Sequence, residues 1–499
     1  METLHSLLYG FSVALQPNHL FFCFLGCLLG TLIGVIPGLG PVAAISILLP
    51  VTFQVDATSA IIMLAGIYYG AMYGGSTTSI LVNVPGETAS VVTCLDGYQM
   101  ACQGRAGAAL GIAAFGSFIA GTLGLIGLLL VAKPLSSLAL QFGPPEYLAI
   151  ILLGFTFVTY LSHGSMIKAI MMAFLGLMLS MIGLDPINSQ QRMTFGVLNL
   201  FEGLGIAPIA MGLFGVSEVL LNLETVVSTQ VIKTKIKNLF PSKLEWMQAK
   251  WALLRGTVIG FFMGILPGGG PILSTFICYG VEKRIAKDPS RFGKGAIEGV
   301  AAPEAANNAA ASTSFIPLLT LGIPPNVILA VLFGAFLIHG ILPGPFLITQ
   351  HPDVFWGVIS SMYIGNVMLL ILNLPLIPLW VQVLKIPDKY LYPLILLFCL
   401  IGAYSIDNNV FDVGVMVAFG IVGYLFKKFG YEGAPLILAF VLGPMFEVNL
   451  RRSLLMSQGN FTIFFTRPIA VGALLVCATL IGLSLYQFFK KTAQKKAAA

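Results

Sequence analysis

Charge is scarce in this chain: Lys, Arg, Asp and Glu make up 9% of 499 residues, while 57% are hydrophobic and the mean hydropathy is +0.93. Soluble domains carry about 25% charged residues, so a water-dissolved globular protein is excluded. No Gly-x-x-x-x-Gly-Lys-Ser/Thr loop occurs, and the prolines of Pro37-Gly38-Leu39-Gly40-Pro41 remove N–H donors that a phosphate cradle needs, so ATP hydrolysis is excluded. Gly-x-Ser-x-Gly is also absent, and the histidines (His5, His19, His163, His339, His351) form no metal-spaced pair, which leaves an enzyme without positive support. The cysteines (Cys23, Cys27, Cys94, Cys102, Cys278, Cys399, Cys477) are scattered; Cys23 and Cys27, at helical spacing, read as small packing residues. Between Met1 and Leu20 there is no Lys, no Arg and no small-residue cleavage site, so that segment is expected to stay in the mature protein. The net charge of +6 is gathered in a few loops, where it reads as a topology signal and not as a nucleic-acid surface.

What the chain has is length of apolar sequence. The runs 107–132, 147–161, 354–383, 390–403 and 468–489 do not alternate apolar with polar residues, which points to helices and not to barrel strands. The expectation is an all-α polytopic integral membrane protein with about 10–12 crossings of about 20 residues each.

A duplicated element is written into these runs. Gly26, Gly30, Gly34, Pro37, Gly38, Gly40 and Pro41 return, at one constant interval, as Gly256, Gly260, Gly264, Pro267, Gly268, Gly270 and Pro271. The glycines at spacing four read as a close helix-packing face. The Pro-Gly-x-Gly-Pro tips read as functional, because a packed helix has no use for them. The apolar pieces beside 267–271 are each about a dozen residues, roughly 18 Å of helix against about 30 Å of hydrocarbon, so a re-entrant hairpin is expected. Lys233, Lys235, Lys237, Lys243, Lys250 and Arg255 before it, and Lys283, Arg284, Lys287, Arg291 and Lys294 after it, place both its ends in the cytoplasm. The first copy has no basic flanks and is expected to enter from outside, giving an inverted-topology repeat with discontinuous helices. The corresponding division is a first half at 1–224, a basic cytoplasmic connector at 225–250, a second half at 251–450, and a C-terminal helix with a basic tail at 451–499. Lys490, Lys491, Lys495 and Lys496 place the C-terminus in the cytoplasm, while Arg451, Arg452 and Arg467 leave the topology of 431–467 open.

Each hairpin is followed by a second polar interruption. Gly74 to Ser79 leads to Asn83-Val84-Pro85-Gly86, and Ala311 to Ser314 leads to Gly322-Ile323-Pro324-Pro325, with intervals that differ by three residues. Hydroxyls, free N–H groups and half-helix N-termini can hold carboxylates without a full counter-charge. The candidate substrate-binding set is Pro37, Gly38, Gly40, Ser76, Thr77, Asn83, Pro85, Gly86, Gly268, Gly269, Gly270, Asn308, Ser312 and Thr313. An ionisable residue at membrane depth is a functional candidate, so Glu304, with Asn307 and Asp407, is read as coupling to a cation, Na⁺ or H⁺; no cofactor or resident metal is expected. For Glu304 and Asp407 a solvated position in a loop or at a cytoplasmic mouth stays open.

The segments Asp96-Gly97-Tyr98-Gln99-Met100-Ala101-Cys102-Gln103-Gly104-Arg105-Ala106-Gly107 and Gly299-Val300-Ala301-Ala302-Pro303-Glu304-Ala305-Ala306-Asn307-Asn308, with the paired Pro-Gly hairpins, closely resemble the large membrane subunit of bacterial tripartite tricarboxylate transporters. Phe201-Glu202-Gly203-Leu204, 212–218 and Asn408-Asn409-Val410-Phe411-Asp412 extend the resemblance over nearly the whole chain. It implies a permease in the bacterial inner membrane that works with a small four-helix membrane subunit and a periplasmic solute-binding protein, taking up an organic carboxylate on an ion gradient. A stand-alone organic-anion symporter that needs no binding protein and a channel are the alternatives that the residues alone leave open, and a second copy of the chain in a homodimer is a further candidate partner.

Overall fold

The computed structural model describes residues 2–36, 40–161, 165–224, 239–268, 270–384, 386 and 388–498. Pro37, Gly38 and Gly269 lie outside the described residues, as does 225–238 of the basic connector. Among the described residues the regular structure is helical apart from two-residue strands, Gly183–Leu184 and Gln191–Arg192, paired antiparallel. Among the described residues, eight helices are long and apolar enough to cross a membrane, and five shorter apolar helices accompany them. The fold is that of an all-α, multi-pass membrane protein. It comprises two compact units, Met1–Ser137 with Ala207–Leu425, and Leu138–Ile206 with Phe426–Ala499.

The first unit holds both copies of the glycine pattern. In the first copy, α1 (Pro17–Val35) is followed by α2 (Pro41–Leu48), α3 (Ala57–Val82), α4 (Val91–Cys102) and α5 (Ala106–Ala139). In the second, α6 (Lys243–Ile265) is followed by α7 (Gly270–Ile285) and α8 (Glu298–Thr313). A methyl group placed on Gly26, Gly30 or Gly34 of α1 would come within 2.3, 2.5 or 2.4 Å of the carbonyl oxygens of Met63, Ile67 and Ala71 on α3. On Gly256, Gly260 or Gly264 of α6 it would come within 2.4, 2.3 or 2.5 Å of those of Ala302, Ala306 and Ala310 on α8. Only a residue without a side chain lets two helix backbones approach this closely, and the approach replaces the hydrophobic driving force that lipid cannot supply. The spacing-four glycines are therefore a packing face in both copies.

The same register that sets Met63 against Ala302 sets Asn83 against Gly322 and Pro85 against Pro324. Asn83 (φ 59°) ends α3, and Gly322 (φ 70°) ends Phe315–Leu321, the short helix that follows α8, both in the left-handed region. The hydroxyl clusters do not correspond: in this register Ser312 to Ser314 fall opposite Tyr73 to Gly75. The three-residue mismatch in the sequence is thus a property of the side chains, while the helix breaks coincide.

The second hairpin departs from its expected arm lengths. Its second arm, α7, has 16 residues, but α6 has 23, because a capping box at Ser242 and Glu245 starts the helix inside the polar segment. Lys243 to Lys250 are accordingly the first turns of α6. The arms fold back on each other and are joined by a bidentate pair, Arg255 Nε to Glu282 Oε1 at 2.6 Å and Nη2 to Oε2 at 2.8 Å. At the tip Gly268 (φ 77°) and Gly270 (φ 55°) occupy the left-handed region, which explains glycine there. The N–H of Gly268 donates to the carbonyl of Pro325 at 2.6 Å, tying the tip to the second interruption. Gly40, its sequence counterpart being Gly270, has φ −72° and no such requirement.

Helix α8 is fixed at its start by Asp96 of α4, which is fully buried. Its carboxylate accepts the backbone N–H groups of Gly293, Gly295 and Ala296 at 2.9, 2.8 and 2.8 Å and the Tyr279 hydroxyl at 2.9 Å. Four donors replace the water that a buried carboxylate loses.

In the second unit the helices Pro144–Leu161, Met166–Ser180, Gly433–Met456 and Pro468–Ala498 pack together. At the short strands, Asp185 and Glu447 share Arg192 and Arg451 in a four-member ion network.

Two results are expected. Gly260→Ala pushes a methyl into the Ala306 carbonyl and should destabilise the protein by about 1–3 kcal/mol, whereas Gly280→Ala, in open space on α7, should be neutral or slightly stabilising; thermal unfolding in detergent reads both. Asp96→Asn turns an amide N–H₂ toward backbone donors and should cost about 1–3 kcal/mol in the same assay.

Candidate functional site

The two interrupted helices of the first unit, α3 and α8, meet through polar side chains. Glu304 of α8 is 1% exposed. Its carboxylate accepts the Ser76 hydroxyl of α3 at 2.6 Å, the Thr93 hydroxyl of α4 and, more loosely, the Ser117 hydroxyl of α5 at 3.4 Å. Asn308, one turn on, donates to Ser117 Oγ at 2.7 Å and to the Glu304 carbonyl at 3.1 Å. On the same face of α3, Tyr73 donates to Asn366 Oδ1 at 2.7 Å, an amide on α9 (Pro352–Asn373).

A second carboxylate lies close by. Glu87, in the segment between α3 and α4, is 5% exposed, accepts the Ala89 N–H at 2.5 Å, and receives the Asn307 amide at 3.4 Å. Its neighbour Ser90 accepts the Ser79 hydroxyl at 2.9 Å. Neither Glu87 nor Glu304 has a Lys, Arg or His partner among the described residues. Two acids buried at the junction of two broken helices, held only by hydroxyls, amides and backbone N–H groups, are costly unless a cation or proton is supplied.

A cavity of about 10 Å³ opens beside Glu304, bordered by Tyr73, Ser76, Thr77, Ser117 and Asn373. That is room for about one water, so the cluster as it stands cannot enclose an organic acid. A larger cleft of about 310 Å³ lies between the start of α6 and the loop before α8, lined by Arg105, Gln248, Ser290, Arg291 and Lys294.

The residues singled out from sequence fall into distinct places. Ser76, Thr77, Glu304, Asn307 and Asn308 are gathered at the junction of α3 and α8. Thr313 instead bonds the carbonyls of Phe261 and Ala309 and faces Gly264 on α6, while Ser312 packs near Gly124. Asn83 is exposed, Pro85 half-buried, and Gly86 sits against the carbonyl of Gly34, so these residues form the break and its packing. Gly268 and Gly270 form the second tip beside Pro325 and Asn326, and Gly40 is half-buried with no atom near its Cβ position. Asp407 is exposed at the end of a separate helix, Asp388–Asp407, and shares no described contact with the cluster.

Glu87, Thr93, Ser117, Asn366 and Asn373 were not among the sequence candidates. Glu87 carried a usable signal: no Lys or Arg precedes Arg105, so an acid buried there has no cation nearby in sequence. Asn366 and Asn373 carried another, two amides seven residues apart on one face of an otherwise apolar run.

No solved structure matches this chain. It is 49% identical over 485 residues to the uncharacterized 52.8 kDa protein in the TAR-I ttuC' 3' region of Agrobacterium vitis, covering 97% of each chain. It is 56% identical over 224 residues to the uncharacterized protein in the TAR-II ttuC' 3' region of the same organism, covering 44% of this chain and 93% of that one. The family model of the tripartite tricarboxylate transporter TctA family matches residues 20–438, and with it the glycine repeat, both helix breaks and the buried carboxylates. The chain belongs to the TctA family of tripartite tricarboxylate transporters.

Proposed function

We propose that this chain is the permease subunit that moves an organic carboxylate, a tricarboxylate, dicarboxylate or related acid, across the bacterial inner membrane by alternating access. It is driven by a Na⁺ or H⁺ gradient and works with a small four-helix membrane subunit and a periplasmic solute-binding protein. The observation that carries this reading is Glu304: a carboxylate buried among hydroxyls where α3 of the first half meets α8 of the second. Such a charge couples a cation to the relative position of the two elements, because moving them apart exposes it and closing them requires that it be neutralised. The two Pro-Gly hairpins, inverted in topology, are the parts that open toward opposite faces, with Gly40 in the first and Gly268 and Gly270 in the second. Ser76, Thr77 and Asn308 supply the hydroxyls and amide around the anion when the cluster widens, and Asn83, Pro85 and Gly86 the break that follows them. The matched repeat packing and the matched helix breaks support this arrangement. The basic cleft at Arg105, Arg291 and Lys294 fits the cytoplasmic mouth, where cations attract a departing anion.

The test is uptake of a labelled carboxylate into proteoliposomes holding the full chain, the small membrane subunit and the binding protein, under an imposed Na⁺ or pH gradient. Glu304→Gln is expected to remove gradient-driven accumulation by about tenfold or more while substrate exchange across the membrane persists. Unchanged accumulation and unchanged Na⁺ and pH dependence in that variant would contradict the assignment of Glu304, and uptake without the binding protein would favour a stand-alone symporter.

A further inference from the structure

The cavity beside Glu304 is lined by a residue whose buried acceptor has no hydrogen-bond partner among the described residues. Asn373, the last residue of α9, is 4% exposed and borders the cavity. Its Nδ2 donates to the Leu369 carbonyl at 3.0 Å, which fixes the amide orientation, since the reverse would set oxygen against oxygen. The other end, Oδ1, is buried with no hydrogen-bond partner among the described residues. An orphaned buried carbonyl oxygen costs stability unless a donor or a cation meets it.

We propose that Asn373 completes a seat for one dehydrated metal cation of Na⁺ size, with Glu304 and the hydroxyl oxygens of Ser76 and Ser117 as the other ligands, and that Asn373 makes this seat select a metal ion over a proton. The cavity has room for a single water-sized guest. Its wall offers one negative charge and several neutral oxygens, the ligand set that a hard monovalent cation takes. A proton on Glu304 neutralises the carboxylate but leaves Asn373 Oδ1 unmatched; a cation in the cavity meets both. The Glu304 carboxylate also takes part in the contact between α3 and α8, so occupation of the seat stabilises that junction directly. The inference rests on the transport reading for its biological meaning, but the binding it asserts is measurable without transport.

The experiment follows thermal unfolding of the purified full chain in detergent at fixed ionic strength, titrating NaCl against choline chloride at several pH values, and compares wild type with Glu304→Gln, Asn373→Leu and Asn373→Asp. Leu matches the shape of Asn and lacks the acceptor; Asp keeps an oxygen at that place. Wild type is expected to show saturable stabilisation by Na⁺ beyond that by choline. Asn373→Leu and Glu304→Gln should raise the half-saturating Na⁺ concentration by about tenfold or more, and Asn373→Asp should retain the response. A wild type indifferent to Na⁺ but stabilised as pH falls would overturn the proposal in favour of a proton, and indifference to both would mean that a bound water alone fills the cavity. An unaltered half-saturating concentration in Asn373→Leu would overturn the role of Asn373. If Na⁺ binds as described yet reconstituted wild type moves no carboxylate, the transport reading fails and the cation seat stands.

Discussion

Glu304 presents a carboxylate to three hydroxyls and to no cation among the described residues, at a place where water is nearly excluded. Hydroxyl donors spread the charge but do not cancel it, and burying an uncancelled charge costs several kcal/mol even after relaxation. The surrounding structure reflects that cost. Asp96 pins the start of α8 through three backbone N–H groups and a tyrosine, and the glycine face of α6 holds α8 along its length. Glu304 is thus fixed from one side by rigid packing and from the other by side chains on elements that belong to the first half of the chain.

This division distinguishes two uses of glycine in one sequence. The spacing-four glycines bring α1 to α3 and α6 to α8 at backbone contact, making each half a stiff pair. Gly268 and Gly270 do the opposite, supplying left-handed backbone where α6 turns into α7. Stiff pairs joined through the Ser76 and Glu304 side chains, well inside α3 and α8, can separate there without dismantling either pair, as the proposed alternating access requires. The cluster now has space for about one water, so the organic acid proposed as substrate would need that junction to open.

Much of this was legible in the sequence because membrane helices leave few choices. The scarcity of charge, the duplicated glycines and the isolated Glu304-Ala-Ala-Asn307-Asn308 run correspond to strong physical constraints, and each appears in the structure as a buried or closely packed feature. Thr313 and Ser312 were not separable from Ser76 and Thr77 by composition. A hydroxyl can turn back to its own helix carbonyl or forward to a partner, and the direction depends on tertiary neighbours. The long first arm of the second hairpin was hidden for a different reason: a capping box in polar sequence can extend a helix beyond its apolar part, so hydropathy underestimates its length. A single polar residue beside a break, such as Glu87, or inside an apolar run, such as Asn373, looks like a loop or a helix end until its burial is known.

Alternating access as proposed requires the junction around Ser76 and Glu304 to be reached from each side of the membrane in turn. The most direct measurement places a single cysteine at Ser76 in a background without the native cysteines, and reacts it with a membrane-impermeant thiol reagent added to one face or the other of reconstituted vesicles. The account predicts labelling from both faces, with carboxylate and coupling cation together protecting the site. Labelling from one face only under all gradients, or labelling indifferent to substrate and cation, would contradict it.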